Sequence, residues 1–481
     1  MVINLSLIAT IAFFAALIAT LVRIVLRQQR DPASRLAWLV TTLALPLPGM
    51  IAYLLLGELR ISARRRSLQG QIEQGLPHST GDDAVRQHLA TTAYAAPFAL
   101  AETVNALPPT RGNAARLAPD SNSAIAEMIA DIDAAQSSVH LGFYIWLADS
   151  NGLLVKDALI RAAGRGVQVR VLADALGSRH FIRSAHWRAL IAAGINAREA
   201  LPIGGLIWTF LRGRFDLRNH RKQLIIDNRI AWCGSQNLAD PQFRPKRRFA
   251  PWVDIMTRWQ GPVVRDCQFI FIADWMSEQG DDITPLLSET VDAEHSDTGG
   301  IIAQVVGTGP SLPYPAMAPC FAALIASARR ELVLTTPYFV PNEQLIGALL
   351  DCARRGVAVT MILPRRNDSR IVAGASRSYY ADLVSAGVAL HEYEPGLLHA
   401  KTIVVDREVV LIGSANLDRR SFELNFENNI LFADAAFAAE IHQRQMEYRA
   451  DSRMITEEDL RQVNVVRRFW QNLLAMLSPL L

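Results

Sequence analysis

The sequence predicts a duplicated α/β domain behind an N-terminal two-helix transmembrane anchor. Three observations predict it. From about residue 116 apolar strand-like runs alternate with helical stretches, the pattern recurs about 180 residues later, and two long uncharged runs precede both copies. Alternation of this kind argues for a sheet with covered faces.

The anchor comes first in the chain. Met1 to Val22 carries no charged side chain, and a helix of that length crosses roughly 30 Å of hydrocarbon. A second uncharged run extends from Leu36 to Gly57 and contains Pro46, Pro48 and Gly49, which predict a kink or interruption. A cleaved signal peptide would begin with basic residues, and MVINLS has none. A buried core hairpin is the other reading. Two spans put the N-terminus and the main domain on one side of the membrane. Arginines 23, 27, 30 and 35 precede the second run or open it, and 60, 64, 65 and 66 follow it. Basic residues therefore flank both of its ends, and the cytoplasmic side is the expectation.

Composition agrees with a few apolar segments on an otherwise globular chain. Of 481 residues 50% are hydrophobic and the net charge is +3, with a mean hydropathy of +0.14 and a pI near 8.7. The mild positive balance suits an anionic membrane surface and does not single out nucleic acid. Cys233, Cys267, Cys320 and Cys352 show no C-x-x-C pair and no metal-ligand spacing, so they read as buried free thiols.

Residues 1–60 are thus expected to form the membrane hairpin and 61–115 a connector with some helix, marked by the loop signals PHSTGDD and LPPTRGN. The first α/β half spans 116–290, a linker 291–300, and the second half 301–481. SSVHLGFYIW, GVQVRVLAD and RKQLIID read as strands, LLVKDALIRAAGRG and HWRALIAAG as helices. ALLDCARRGVAVTMILP matches ALIRAAGRGVQVRVLAD, with Gly356 at the place of Gly166. A repeat this long is a duplicated domain rather than a solenoid. Halves that pack face to face can build one site from two similar loops.

The strongest signal lies inside the repeat. HRKQLIIDNRIAWCGSQN runs from His220 to Asn237, and HAKTIVVDREVVLIGSAN from His399 to Asn416. His399 lies 179 positions after His220 (399 minus 220), and Lys401, Asp406, Gly413 and Asn416 follow Lys222, Asp227, Gly234 and Asn237 at the same offset. His and Lys two apart on a strand point to one face. Asp227-Asn228 and Asp406-Arg407 read as hairpin turns. With turns near 228 and 407, Ser235 and Asn237 return beside His220 and Lys222, and Ser414 and Asn416 beside His399 and Lys401.

That set suits a phosphodiester. One neutral imidazole can attack phosphorus while the other protonates the leaving alcohol from the opposite side. The lysines and the asparagine amides can hold the non-bridging oxygens. The arrangement needs no metal. A zinc site would not call for the lysines, and no H-E-x-x-H helix or Cys pair is present. A lone strand histidine is ordinarily structural, but two in register with the same neighbours are not.

His-x-Lys-x4-Asp followed by Gly-Ser-x-Asn, present twice, resembles the phospholipase D superfamily over residues 116 to about 450. LPLPGMIAYLLLGE, TTPYFVPNEQL, ILPRRNDS, LLHAKTIVVD, GSANLDRRSFELNFE and the terminal SPLL are similar to bacterial cardiolipin synthases in particular. The resemblance implies a duplicated phospholipase D-like domain of pseudo-twofold symmetry, with mixed sheets flanked by helices. It implies a multi-pass protein of the bacterial inner membrane that uses no cofactor. The implied reaction transfers the phosphatidyl group of one phosphatidylglycerol to another through a phosphohistidine, giving cardiolipin and glycerol. The implied motif set is His220, Lys222, Asp227, His399, Lys401 and Asp406, with His220 as nucleophile and His399 as general acid and then base. The near symmetry leaves the reverse assignment open. The aspartates are expected to brace the hairpins, and Ser235, Asn237, Ser414 and Asn416 to bind substrate. In the family an acidic residue further on orients each histidine; the matching positions are Asp254 and Glu427.

The expected partners are phosphatidylglycerol, other anionic lipids and the membrane, not nucleic acid. The first half has 26 positions from Gly194 to His220 where the second has 12 from Gly387 to His399. This insert, with Trp208, Phe210 and Phe215 among arginines, reads as a membrane lip or an ordinary packed helix. PKRRF (245–249) reads as a solvated loop or a headgroup contact, and VVRRFWQNLLAM as an interfacial helix or core packing. The rival functions are a hydrolase of the same chemistry, a phosphatidyltransferase of other specificity, a membrane-tethered nuclease and a non-catalytic scaffold.

Overall fold

Strand for strand, the two halves repeat one another. The computed structural model describes residues 5–27, 32–57, 63–79, 81–202, 216–288, 299–311 and 317–476. The insert residues Trp208, Phe210 and Phe215 and the terminal SPLL lie outside these. In the first half the strands lie side by side in the order Asn196–Ala200, Gln168–Asp174, Ser138–Phe143, Lys222–Ile226, Ile230–Gly234 and Met256–Gln260. The second half repeats the order with Ala389–Tyr393, Ala358–Pro364, Glu331–Thr335, Thr402–Val405, Val409–Gly413 and Asn425–Ala433. Within each half the first three strands are parallel and the rest antiparallel. The parallel strands are joined by helices, as crossover connections require.

The halves join edge to edge. Thr110–Leu117 pairs with Met256–Gln260, Ile301–Thr308 pairs with Asn425–Ala433, and these two added strands pair antiparallel with one another. The first of them begins at Thr110, inside the stretch expected to be connector. The halves therefore meet through a continuous backbone ladder, and not only by the face-to-face packing the duplication suggested. They also share a core. Ile225, Ala231 and Trp259 from one half pack in one cluster with Val404, Ile430 and Phe432 from the other and with the buried helix Val263–Ser277. Trp259 is fully buried, with its ring 5.4 Å from Phe432 and 5.8 Å from Phe437.

Local sequence explains the repeated helices. Ser150–Gly164 starts at Asp149, whose side chain accepts from Gly152 N, and Glu343–Arg354 starts at Asn342, which accepts from Leu345 N. Both chains then leave through a left-handed glycine, Gly166 at φ 91° and Gly356 at φ 88°, a conformation costly for other residues. The stretch expected as connector forms the helices Ala63–Gly75, Asp83–Ala90 and Ala95–Asn105. Phe98 and Ala101 pack into the core of the second half with Leu324 and Leu332.

At the N-terminus one helix, Ser6–Leu26, is long and apolar enough among the described residues to cross a membrane. Leu7, Ile11, Phe14 and Ile18 on it are exposed, as lipid-facing side chains would be. The second run does not form one straight span. Pro32–Ala44 ends at Leu45, and Pro46–Ala52 restarts with proline at its first turn before Tyr53–Gly57 widens to a π-helical turn. A Cβ on Gly49 would lie 2.7 Å from Thr42 Cα, so the two pieces fold tightly on each other. The prolines broke the helix, as their missing N–H groups dictate. Of the expected two-helix anchor, one helix is long enough to span, and the second run is a bent, shorter segment.

Because the halves share a core, Trp259→Ala should cost about 3–5 kcal/mol and shift one cooperative denaturant transition. Two separate transitions, one per half, would contradict the shared core.

Candidate active site

The two motif hairpins form in the register that their spacing predicts. Gln223 pairs with Cys233 and Ile226 with Ile230, and Thr402 pairs with Ile412 and Val405 with Val409. The pairs centre on residues 228 and 407. At the turns Asp227, Asn228, Asp406 and Arg407 take positive φ, between 51° and 58°. Asp and Asn tolerate that region best among residues with a side chain; Arg407 adopts it without that advantage.

At the far ends of the hairpins the two histidines and two lysines of the motifs gather. His220, Lys222, His399 and Lys401 are buried. Each histidine takes its carboxylate from the opposite half. His220 Nδ1 lies 2.9 Å from Glu427 Oε2, and His399 Nδ1 lies 2.6 Å from Asp254 Oδ1. An Nδ1–H donating to carboxylate leaves Nε2 as the free, basic nitrogen of each ring. Short backbone links hold the crossing. His220 N donates to Phe426 O at 2.9 Å, and His399 N to Val253 O at 2.7 Å. Beside them Asn425 and Phe426 pair in parallel with Arg218 and Asn219, and Trp252 and Val253 with Leu397 and Leu398.

The serines serve the carboxylates. Ser235 Oγ donates to Asp254 Oδ1 at 2.6 Å, and Ser414 Oγ donates to Glu427 Oε2 at 2.5 Å. Each also accepts from a backbone N–H, of Ile255 and Asn428. Ser235 and Ser414, expected to bind substrate, thus give their one hydroxyl proton to the orienting acids. Asn416 Nδ2 lies 3.2 Å from Ser421 Oγ, and Asn237 Oδ1 accepts from Ile145 N at 3.2 Å. Both asparagines tie the strand end to neighbouring backbone or side chain; the amide of Asn237 keeps its Nδ2 donors out of that bond.

Asp227 and Asp406 sit at the opposite ends of the hairpins from the histidines. Asp227 accepts from the N–H groups of Gln136, Ser137 and Ser138, each at 2.8 Å. Asp406 accepts from Arg329, Arg330 and Glu331 at 2.7–3.0 Å. They fasten each hairpin to the start of its neighbouring strand, as bracing groups.

Electrostatics make the two imidazoles unlike. Burial lowers His220 well below the ordinary histidine value, and Lys222, Lys401 and His399 add to the depression. Burial also lowers His399, with Lys401 adding to it and Asp254 opposing. Burial pushes Glu427 up to about 7 against the pull of Lys222. Asp254 is also raised by burial, but His399, Lys401 and Ser235 outweigh that and leave it below its usual value. Burial brings Lys222 down to about 7 and Lys401 to about 8. Each ammonium donates to the carbonyl of its own histidine, at 2.5 and 2.6 Å, which leaves two N–H donors for a ligand. Among the described residues no group of three His, Cys, Asp or Glu could hold a metal ion.

Two residues outside the motifs complete the walls. The Tyr144 ring stands edge-on to His220 at 4.8 Å, with Lys222 Nζ 5.2 Å from its centroid. The Tyr338 ring lies 6.3 Å from His399, and its hydroxyl donates to Asp368 at 2.8 Å. A tyrosine at one place in FYIW and PYFV was the available signal. Trp252 adds a ring 4.8 Å from His399.

The family described as "Cardiolipin synthase, PLD-like domain" matches residues 128–249 and 321–448, and "Phospholipase_D-nuclease N-terminal" matches 15–58. Cardiolipin synthase A of Pectobacterium carotovorum subsp. carotovorum (strain PC1) is 36% identical over 470 residues, 97% of this chain and 96% of that protein. Its counterpart in Cronobacter sakazakii is 36% identical over 474 residues, with the same coverage. In fold the chain is similar to the crystal structure of phosphatidylserine synthase from Haemophilus influenzae Rd KW20. That likeness has a TM-score of 0.56 at 16% identity and covers 79% of this chain and 97% of the other.

If Asp227 only braces its hairpin, Asp227→Ala should cost about 1–3 kcal/mol of stability and leave turnover per folded molecule little changed. Loss of activity in a variant of unchanged thermal midpoint would contradict this.

Proposed function

Because the chain belongs to the cardiolipin synthase family of phospholipase D-like proteins, we propose that it is a phosphatidyltransferase joining two phosphatidylglycerols into cardiolipin and glycerol. The observation that carries the reading is the crossed pair of buried imidazoles, each oriented by a carboxylate of the other half and flanked by a buried lysine.

In the first step His220 Nε2 attacks phosphorus in line. The bond from phosphorus to the glycerol oxygen breaks, and His399 gives that oxygen its proton. In the second step a hydroxyl of another phosphatidylglycerol loses its proton to His399 and attacks phosphorus, and the phosphorus–nitrogen bond breaks. One phosphodiester replaces another, so no nucleotide is consumed. Lys222 and Lys401 hold the non-bridging oxygens as charge builds there. Burial and the two lysines lower His220, which favours it as the neutral nucleophile, and the ionised Asp254 opposes the same lowering at His399, which favours that ring as the proton carrier. The two histidines and two lysines are buried, and a site shielded from water favours transfer over hydrolysis. Phosphatidic acid as the only product would establish the hydrolase instead.

The helix Ser6–Leu26 and the bent segment after it anchor the enzyme in the bacterial cytoplasmic membrane. Placement of the catalytic halves on the cytoplasmic side rests on Arg60, Arg64, Arg65 and Arg66, the basic cluster after the second run.

Incubation with phosphatidylglycerol labelled in its phosphate should leave acid-labile label on His220, and none in His220→Ala. A donor with a p-nitrophenol leaving group needs no proton from His399. With it, Asp254→Asn should keep the burst of nitrophenol and lose turnover, whereas Glu427→Gln should lose the burst itself. Equal effects on burst and turnover in both variants would reverse or remove the assignment. The pH profile of kcat/KM should be bell-shaped. Its acid limb should lie well below 6.5, because His220 must be neutral, and its alkaline limb should come before the lysines lose charge near 7 to 8, because His399 must be protonated and burial lowers it.

A further inference from the structure

We propose that the groove between the 3-10 turn Arg244–Phe249, the helix Arg370–Ser378 and the C-terminal helix Val465–Met476 is a second phospholipid site, which holds the phosphate of an anionic lipid beside the catalytic centre. It encloses about 460 Å³, and its lining includes Arg248, Arg366, Arg370 and Arg467 with Trp470 and Leu474.

The charge is unbalanced. The carboxylates nearby are already taken: Asp368 by Lys246 and Tyr338, Glu394 by Arg365, and Glu392 by Arg377. Among the described residues Arg248, Arg366, Arg370 and Arg467 form no ion pair. Arg248 instead lies over the Phe249 ring at 4.4 Å. Four guanidinium groups around one groove repel one another unless an anion sits between them, and their planar forks suit the oxygens of a phosphodiester.

The groove is built rather than incidental. The C-terminal helix packs along Arg370–Ser378, with Leu474 Cδ1 seated over Gly374. That helix turns Val465, Val466, Phe469, Trp470 and Met476 outward, Trp470 at 55% exposure and Val465 at 82%. Aromatic and aliphatic side chains beside arginines mark a surface that rests at a lipid interface. A phosphate in the groove therefore comes with acyl chains alongside the helix. The floor leads towards the active site. Asn367 Nδ2 donates to Pro337 O at 2.7 Å, and the next residue, Tyr338, flanks His399.

The choice of lipid rests on the transferase reading above; the binding itself does not. The test uses the full chain in neutral detergent with His220→Ala to stop turnover, and native mass spectrometry to count retained lipid. The unvaried groove should retain phosphatidylglycerol. Arg366→Gln/Arg370→Gln/Arg467→Gln should lose one bound molecule, with an apparent Kd weaker by about tenfold or more. Phosphatidylcholine retention should not differ between them. The corresponding Arg→Lys variant, which keeps the charge, should be intermediate and guards against misfolding. Equal phosphatidylglycerol retention by the glutamine variant would overturn the proposal. So would displacement of the lipid by millimolar inorganic phosphate, which would make the groove a site for free anion. Phosphohistidine labelling is scored separately, with His220 intact. Absence of label from the otherwise unvaried enzyme would sink the transferase reading and leave the lipid count standing.

Discussion

Everything at the centre of this molecule depends on two hydrogen bonds that cross between its halves, His220 to Glu427 and His399 to Asp254. An imidazole with no partner on Nδ1 can turn and change tautomer; with a carboxylate there, its Nε2 has one direction and one role. Neither half finishes its own histidine, so neither can act alone. The acids are in turn secured by Ser235 and Ser414, whose Oγ atoms accept from backbone N–H groups, and Glu427 also by the Asn425 amide. A buried carboxylate left without such partners would be strongly unfavourable.

The rest of the fold keeps that crossing in place. The shared core around Trp259 and Phe432 fixes how far apart the halves sit, and the ladder through Thr110–Leu117 and Ile301–Thr308 fixes their register. At the far end of each motif hairpin an aspartate bolts the turn to the neighbouring strand. The strand ends can then present two imidazoles and two lysine amines to one small volume without adjusting when an anion arrives. Such preorganisation makes electrostatic stabilisation effective in a buried site. The same burial brings both lysines down towards neutrality, so an incoming phosphate restores their charge as it binds.

The strand pairing of each motif was readable from sequence, because register follows from the length between His220 and Asp227 and from the turn residues that follow. The duplication was readable from the constant offset of five motif positions. The crossing was not. Asp254 follows His220 by a short stretch of chain, and only the meeting of the two halves decides that it belongs to His399. Counting along the hairpin brought Ser235 near His220, but its hydroxyl lies closer to the acid at 254. The break at Pro46 was readable and the fold-back was not, since it depends on Gly49 meeting Thr42. The arginine groove draws on residues 248, 366 to 377 and 467 to 474, which no local pattern connects.

The proposed transfer needs one phosphorus held between two imidazoles, and an oxyanion that mimics the five-coordinate state tests it most directly. Soaked with vanadate, the enzyme should show one vanadium bonded to His220 Nε2. An apical oxygen on the opposite side should be hydrogen-bonded to His399 Nε2, and both lysines should contact the equatorial oxygens. Vanadate bound in either half without reaching the other histidine would contradict the shared site and the chemistry drawn from it.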